Sequence, residues 1–374
     1  MKTVLITGSG GFLGKNLLQA LSSRKDIRPL EYEAHHSRSY LGEMLTEVDI
    51  IVHLAGVNRP ERIDEYETGN AGLTRLICDD LRGLKHAPKI IMSSTIQADL
   101  DNPYGISKRR AEEELRRFSE DTGAEVVVFR FKNIFGKWSR PNYNSVVATF
   151  CYNIARDLPI TISDPNRELE LVYVDDAVEA LVKEIDCNEP RPGFRFADEI
   201  PGFNITLGEL AGKIRSLREN RATCILPDFS DRFTRSLYAT YVSYLDGTDL
   251  AYQLGVKADH RGTLAEFIKS CHVGQVFVSR TKPGVTRGNH YHHTKAEKFL
   301  VVEGSGVIRL RHLKTGEVFE YAVSGEGFRV VDIPPGYTHS IENTGKTDMV
   351  VIFWASEVFD PERPDTFFCE VGNE

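Results

Sequence analysis

Long apolar runs are missing from this chain of 374 residues. No stretch approaches the roughly 18 consecutive apolar residues of a membrane span, and the first apolar run, Val4 to Ile6, is far shorter than the core of a secretory signal. No membrane partner and a cytoplasmic location are therefore expected. Cysteine is scarce and scattered. Cys78, Cys151, Cys187, Cys224, Cys271 and Cys369 form no C-x-x-C pair, which argues against a cysteine metal knuckle and against a disulfide framework. A dense basic stripe is missing too: Asp and Glu number 54 against 46 Lys and Arg, a formal charge of −8, which disfavours nucleic acid as a partner. Solenoid-period repeats and low-complexity tracts are absent. What is present is globular material. The 41% hydrophobic and 27% charged residues can supply sizeable cores, and the length suggests two domains at about 100–200 residues each.

Up to about residue 187, short β-branched runs (Val4 to Ile6, Ile50 to Leu54, Ile90 to Met92, Val126 to Phe129) alternate with helical-period stretches (Lys15 to Ser22, Leu73 to Leu81, Ser107 to Phe118). This alternation predicts a parallel sheet wrapped by helices, an α/β Rossmann-like doubly wound fold. From Phe194 to Leu250 the pattern turns irregular and reads as a substrate lobe. After Tyr252 come closely spaced short strands (Gln275 to Ser279, Lys298 to Val302, Gly306 to Arg311, Val318 to Val323, Phe328 to Ile333, Met349 to Trp354) separated by Gly, Pro and Asn turns, as in an all-β barrel or sandwich. The expected division is 1–248 for the α/β domain with its lobe and 249–374 for the β domain.

Two sets of residues carry chemistry in the first half. The strand Val4 to Ile6 runs into Gly8-Ser9-Gly10-Gly11-Phe12-Leu13-Gly14 and then a helix, a G-x-x-G-x-x-G spacing that lets backbone N–H groups and a helix N-terminus approach a pyrophosphate. A bare Gly-rich turn is the blander reading, made improbable by the flanking strand and helix. Further on, Tyr104-Gly105-Ile106-Ser107-Lys108 follows the hydroxyl cluster Ser93-Ser94-Thr95. Residues four apart share a helix face, so Lys108 is placed to lower the phenol of Tyr104 from its ordinary value near 10. Alone, Y-x-x-x-K is a common surface pair.

In the second half, His290 and His292 alternate by two and so share one face of a strand, with Glu297 returning from the next turn or strand. A second block, Pro334 to Asn343, could bring a further imidazole from across the barrel. Two or three His with one Glu make a divalent-metal site, and this donor set excludes magnesium and calcium while leaving Zn, Fe, Mn or Ni.

These motifs carry resemblances. Residues 1–185 resemble the extended short-chain dehydrogenase/reductase family acting on nucleotide sugars, through the glycine loop, His53-Leu54-Ala55-Gly56, Asn70, Ser94 and Thr95, Tyr104 with Lys108, Arg130 to Gly136 and Val174-Asp175-Asp176. The resemblance implies Tyr104 as acid/base, Lys108 on the nicotinamide ribose, Thr95 or Ser94 on the substrate oxygen and Asn133 on the sugar or diphosphate. It implies cofactor contacts from Gly8, Gly11, Phe12, Leu13, Gly14, Arg38, Leu54, Ala55 and Gly56. The second strand, taken as Pro29 to Ala34, leads into His35-His36-Ser37-Arg38, and cations there favour a 2′-phosphate, hence NADPH. Glu31 or Glu33 would be a ribose acceptor if the strand ends elsewhere.

Residues 275–355 resemble the cupin motifs, with Gly284, His290, His292, Glu297 and Gly304 in the first and Pro334, Gly336, His339 and Asn343 in the second. The resemblance implies His290, His292, Glu297 and His339 as ligands of one divalent ion, with zinc preferred for non-redox chemistry. Asp259-His260-Arg261-Gly262 resembles the opening of nucleotide-sugar 3,5-epimerases. Over nearly the whole chain the sequence resembles CapF-type capsular polysaccharide synthesis enzymes, notably at 52–60, 137–145 and 289–295. That resemblance implies a UDP-sugar substrate, C3 epimerisation then NADPH-dependent C4 reduction of a UDP-2-acetamido-2,6-dideoxy-hexos-4-ulose, and a homodimer. The product implied is UDP-2-acetamido-2,6-dideoxy-β-L-talose, on the route to UDP-N-acetyl-L-fucosamine. Lys298 and Tyr337, beside two of the implied ligands, are candidates for the epimerisation base and for substrate contact. The alternative is a ketoreductase whose cupin is structural only.

Overall fold

The computed structural model describes residues 1–84, 87–259, 262–265, 268, 274–357 and 360–372. His260 and Arg261 of the epimerase-like segment, and Cys271, lie outside them; Cys78, Cys151, Cys187, Cys224 and Cys369 are free thiols. Contacts divide the chain into two compact units, Met1–Ser145 with Leu169–Asn204, and Val146–Glu168 with Ile205–Glu374.

In the first unit the apolar runs form β1 (Lys2–Thr7), β2 (Ile27–Tyr32), β3 (Ile50–His53), β4 (Lys89–Thr95) and β5 (Glu125–Phe131). The helices α1 (Phe12–Leu21), α2 (Arg38–Leu45), α3 (Asp64–Tyr66), α4 (Leu73–Arg82) and α5 (Pro103–Thr122) fall between them. After the short strands β6 (Asn133–Phe135) and β7 (Glu168–Tyr173), with helix α6 (Val146–Ala155) between them, come α7 (Val174–Asp186), β8 (Gly193–Phe196) and β9 (Phe203–Thr206). The main sheet has the order β2-β1-β3-β4-β5-β8, and its pairings are parallel. One core joins the strands (Leu5, Ile51, Ile90, Val126, Val128) to α4 and α5 (Ile77, Leu81, Leu115, Phe118). This is the doubly wound arrangement expected from the alternation of periods.

The second strand ends at Tyr32 and not at Ala34. Glu33 turns away because its carboxylate accepts the Ser9 hydroxyl at 2.6 Å and the Gly10 N–H, while Ser37 caps α2 through the Tyr40 N–H. The stretch read as irregular also holds two helices, α8 (Leu207–Thr223) and α9 (Arg232–Ser243). A reciprocal capping box, Thr206 with Glu209, starts the first, and Asp231 caps the second.

The rest of the second unit contains β10 (Ala251–Gln253), β11 (Val256–Asp259), β12 (Gly262–Ala265), β13 (Gln275–Thr281), β14 (Thr286–Tyr291), β15 (Glu297–Glu303), β16 (Ser305–His312), β17 (Val318–Ser324), β18 (Arg329–Ile333), β19 (Tyr337–Asn343), β20 (Met349–Ala355) and β21 (Phe367–Phe368). Two five-stranded antiparallel sheets result, β10-β18-β15-β20-β13 and β17-β16-β19-β14-β21. Their inner faces meet where Phe299 of β15 lies against His339 of β19. The first of these sheets is bound to α8 and α9: Trp354 of β20 packs on Tyr238, and Arg221 reaches the buried Asp332 of β18 at 2.6 Å.

Candidate active site and metal centre

In the first unit the glycine loop follows β1. Gly8 has φ +69°, and a Cβ there would lie 2.7 Å from the Ala55 backbone, so only glycine lets β1 and β3 end side by side. Gly11 leads into α1 with no side-chain cap and no acidic residue in the first turn, which leaves the N–H groups of that helix end without a protein side-chain acceptor. These features fit a dinucleotide pyrophosphate. Of the basic run, Arg38 is ion-paired to Asp80 at 2.9 Å on the surface.

Helix α5 begins one residue before Tyr104, capped by Asn102. Burial, and secondarily the neighbouring Tyr66, push the Tyr104 phenol up to about 12. Lys108 therefore does not lower it in this structure. The lysine is fully buried, donates to the Ser93 carbonyl at 2.8 Å, and is pushed down to about 8 by burial, with Glu112 opposing. Ser94 is committed to the Glu112 carboxylate at 2.5 Å, which in turn binds Arg130, while Thr95 accepts the Gln97 N–H at 3.2 Å at the end of β4. Asn70 sits in a π-helical turn, Glu67–Gly72, and fastens Val57 and Ser107. Asn133 is exposed on β6 and donates to the Glu170 carbonyl.

In the second unit His290 and His339 face each other across β14 and β19. A bulge at Gly288 (φ +100°) allows this approach, because a Cβ there would lie 2.8 Å from the His339 carbonyl. With His292 and Glu297 they place four ligand atoms within 4.8 Å of one another. Glu297 Oε2 lies 3.1 Å from His292 Nε2 and 3.2 Å from His339 Nε2, yet none of these three atoms is aimed in a hydrogen bond. Buried polar atoms that converge without satisfying one another are what a cation-binding donor set requires. Burial alone would raise Glu297, but the facing imidazoles hold it far below the usual carboxylate range. Burial, then the neighbouring His339 and His292, lower His290 to about 4. Burial lowers His339 as well and would lower His292, but Glu297 and Asp365 raise His292 above its ordinary value. A bound cation would replace that proton, since neutral imidazoles and an ionised carboxylate are the forms that ligate.

The cluster opens into a cavity of about 260 Å³ with an apolar wall that includes Phe277, Phe299 and Phe353. Neither candidate base lines it. Glu297 and Lys298 are consecutive on β15 and point to opposite faces, and Lys298 is buried in a 2.6 Å ion pair with Asp332. Tyr337 packs on His312 and Phe319 instead. The lysine on the cavity wall is Lys295, buried, with Nζ donating to the Pro364 carbonyl at 2.8 Å. Its place in the turn between β14 and β15, between two expected ligands, was the available signal.

Residues 4–192 match the NAD dependent epimerase/dehydratase family and residues 257–367 the polysaccharide biosynthesis C-terminal domain. A UDP-2-acetamido-2,6-beta-L-arabino-hexul-4-ose reductase of Pseudomonas aeruginosa is 44% identical over 369 residues, covering 99% of both chains. The capsular polysaccharide assembling protein CapF of Staphylococcus aureus superposes with TM-score 0.66 at 47% identity, covering 98% of this chain and 99% of that one. A UDP-glucuronic acid 4-epimerase of Bacillus cereus, at 17% identity and TM-score 0.52 over 57% of this chain and 82% of its own, shares the fold. The chain belongs to the NAD dependent epimerase/dehydratase family and is a CapF-type capsular polysaccharide enzyme.

Proposed function

We propose that the second unit, as a metal-dependent cupin, inverts C3 of a UDP-2-acetamido-2,6-dideoxy-hexos-4-ulose, and that the first reduces the resulting C4 ketone with NADPH. The product is UDP-2-acetamido-2,6-dideoxy-β-L-talose, a precursor of UDP-N-acetyl-L-fucosamine. The observation that carries this reading is the convergence of His290, His292, Glu297 and His339 on a cavity, in a chain whose other unit holds a tyrosine–lysine helix beside a dinucleotide loop.

The C4 ketone acidifies the C3 proton, so a base can remove it and leave an enolate whose charge rests on O4. A divalent ion held by the four ligands, zinc for chemistry without a redox change, supplies Lewis acidity toward that oxygen. Lys295, on the same cavity wall with its Nζ bound to the Pro364 carbonyl, is the side chain we assign to steady that charge. Proton return on the opposite face completes the inversion. In the first unit a reduced nicotinamide, held by the glycine loop and Lys108, would supply the hydride for C4. Tyr104, held as a phenol by burial, donates the proton to O4; Thr95 orients that oxygen, and Lys108 holds the ribose. NADPH is the proposed reductant because Glu33 is already engaged by Ser9 and Gly10 and the stretch after β2 carries His35, His36 and Arg38, of which Arg38 would exchange its surface ion pair with Asp80 for a 2′-phosphate.

The test is turnover in D2O with NADPH and, separately, NADH, followed by return to water and mass spectrometry against an enzyme-free control. One retained deuterium in the reduced product supports inversion before reduction. Reduced product without deuterium refutes the epimerase half, and faster turnover with NADH refutes the NADPH assignment.

A further inference from the structure

The strand β14 and the turn after it carry His290, His292 and Lys295, and residues 364–369 lie against them, chiefly through Asp365. Asp365 accepts four hydrogen bonds through its carboxylate: from the His293 N–H at 2.9 Å, the Thr294 N–H and hydroxyl at 3.0 Å each, and the Lys295 N–H at 2.9 Å. Its own carbonyl meets His292 Nδ1 at 2.5 Å, and the preceding carbonyl, of Pro364, takes Lys295 Nζ. Beyond it Phe367 stacks on Tyr291, and the Cys369 N–H donates to the Asn289 carbonyl at 2.8 Å.

We propose that Asp365 is a positioning residue for the metal centre, a clasp that sets the tautomer and ring orientation of His292 and holds the turn bearing Lys295. The proposal rests on the metal-centre reading above. A carbonyl can only accept, so Nδ1 of His292 carries the proton and Nε2 is left with its lone pair directed toward Glu297 and the cluster. The side chain and the main chain of Asp365 work together. Three consecutive N–H groups converging on one carboxylate fix the path of residues 293–295, and this fixes where the Asp365 carbonyl stands relative to the imidazole. Without the carboxylate those donors lose their acceptor, the turn relaxes, and the ring loses the contact that selects Nε2.

The test is cobalt and zinc titration of the metal-stripped full chain, parent against Asp365→Asn and Asp365→Ala, using a competing chelator and the cobalt absorption band as readouts, with apo-protein melting alongside. Outer partners of ligating histidines typically contribute about 10–100-fold in metal affinity. The expected result is a loss in that range with an altered cobalt band. Unchanged affinity overturns the proposal, even if the apo variants melt earlier. Should neither variant fold, the parent protein with zinc and ¹⁵N-labelled histidine decides: His292 must bind through Nε2 with a protonated Nδ1, and coordination through Nδ1 overturns the clasp. A parent protein that takes up neither metal refutes the metal-centre reading itself, a failure visible before any variant is compared.

Discussion

A buried tyrosine that stays a phenol suits reduction better than oxidation, because the group must deliver a proton and not remove one. Tyr104, raised to about 12, is protonated throughout the neutral range. Tyr104→Phe should lower the rate constant of ketone reduction by about 10²–10⁴-fold while leaving NADPH binding, followed by its fluorescence, unchanged. Lys108 is lowered to about 8, so its ammonium is lost as pH rises through that value, and kcat/KM should fall above about pH 8 in the parent. Lys108→Arg should shift that limb upward in a pH–rate profile. His53 offers a stability test. It is buried between Thr7 and Thr74, and burial, then the Lys108 charge, lower it from 6.5 to about 3. Between those values the unfolded chain binds a proton that the native state does not, so stability is full above pH 6.5 and falls as pH drops toward 3. The contribution is on the order of 5 kcal/mol, and urea unfolding of His53→Gln between pH 7 and pH 4 should show a flatter acid limb than the parent. The type and spacing of these residues were legible in the sequence. Their protonation was not, since it depends on burial by distant parts of the chain and on neighbours such as Tyr66 that no spacing links to Tyr104.

Strand alternation decides more than composition does at the level of elements. His290 and His292 meet in one cluster although His292 lies just past the end of β14, and strand alternation applied to β15 puts only one of Glu297 and Lys298 inside. Lys298 was singled out for standing next to Glu297 in sequence, although adjacency on a strand means opposite faces. Its partner network instead ties β15 and β18 to α8: Asp332, 2% exposed, receives Lys298 and Arg221. Burial alone would raise Asp332, but these two cations hold it below the usual carboxylate range. Asp332→Asn should cost about 3–5 kcal/mol, because it leaves the buried Lys298 without a counter-charge and Arg221 with only the exposed Asp249. Urea unfolding of the metal-stripped protein checks this, and a cost under about 1 kcal/mol would show the network to be well solvated. Helices α8 and α9 escaped the sequence reading, although Thr206 with Glu209 was a legible capping box. The charged stretch Lys213 to Arg221 hid the apolar stripe Leu207, Leu210, Ala211, Ile214 and Leu217 that α8 buries.

For the whole molecule, the alternation of periods and the later run of short strands were enough to foresee an α/β part followed by an all-β part. The course of the chain between the two compact units was not legible. It passes between them at 145/146, 168/169 and 204/205, because α6, α8 and α9 belong by contact to the second unit. Those contacts join residues far apart in sequence, such as Arg221 and Asp332, and local pattern carries no information about them. The two candidate sites use no residue in common and lie in different units, so their chemistry should separate under metal removal. The glycine loop, Tyr104 and Lys108 are all in the first unit, and the four-ligand cluster is in the second. Stripping the protein with a chelator should therefore leave NADPH affinity unchanged, abolish deuterium uptake at C3 and lower the melting temperature of the second unit, with zinc restoring both losses. Reduction of the uninverted ketone should then be slow or give a product of different retention time, because the hydride acceptor has the other configuration beside the reacting carbon. If deuterium uptake survives complete metal removal, the ion is structural, and Lys295 or another side chain of the cavity must stabilise the enolate without it.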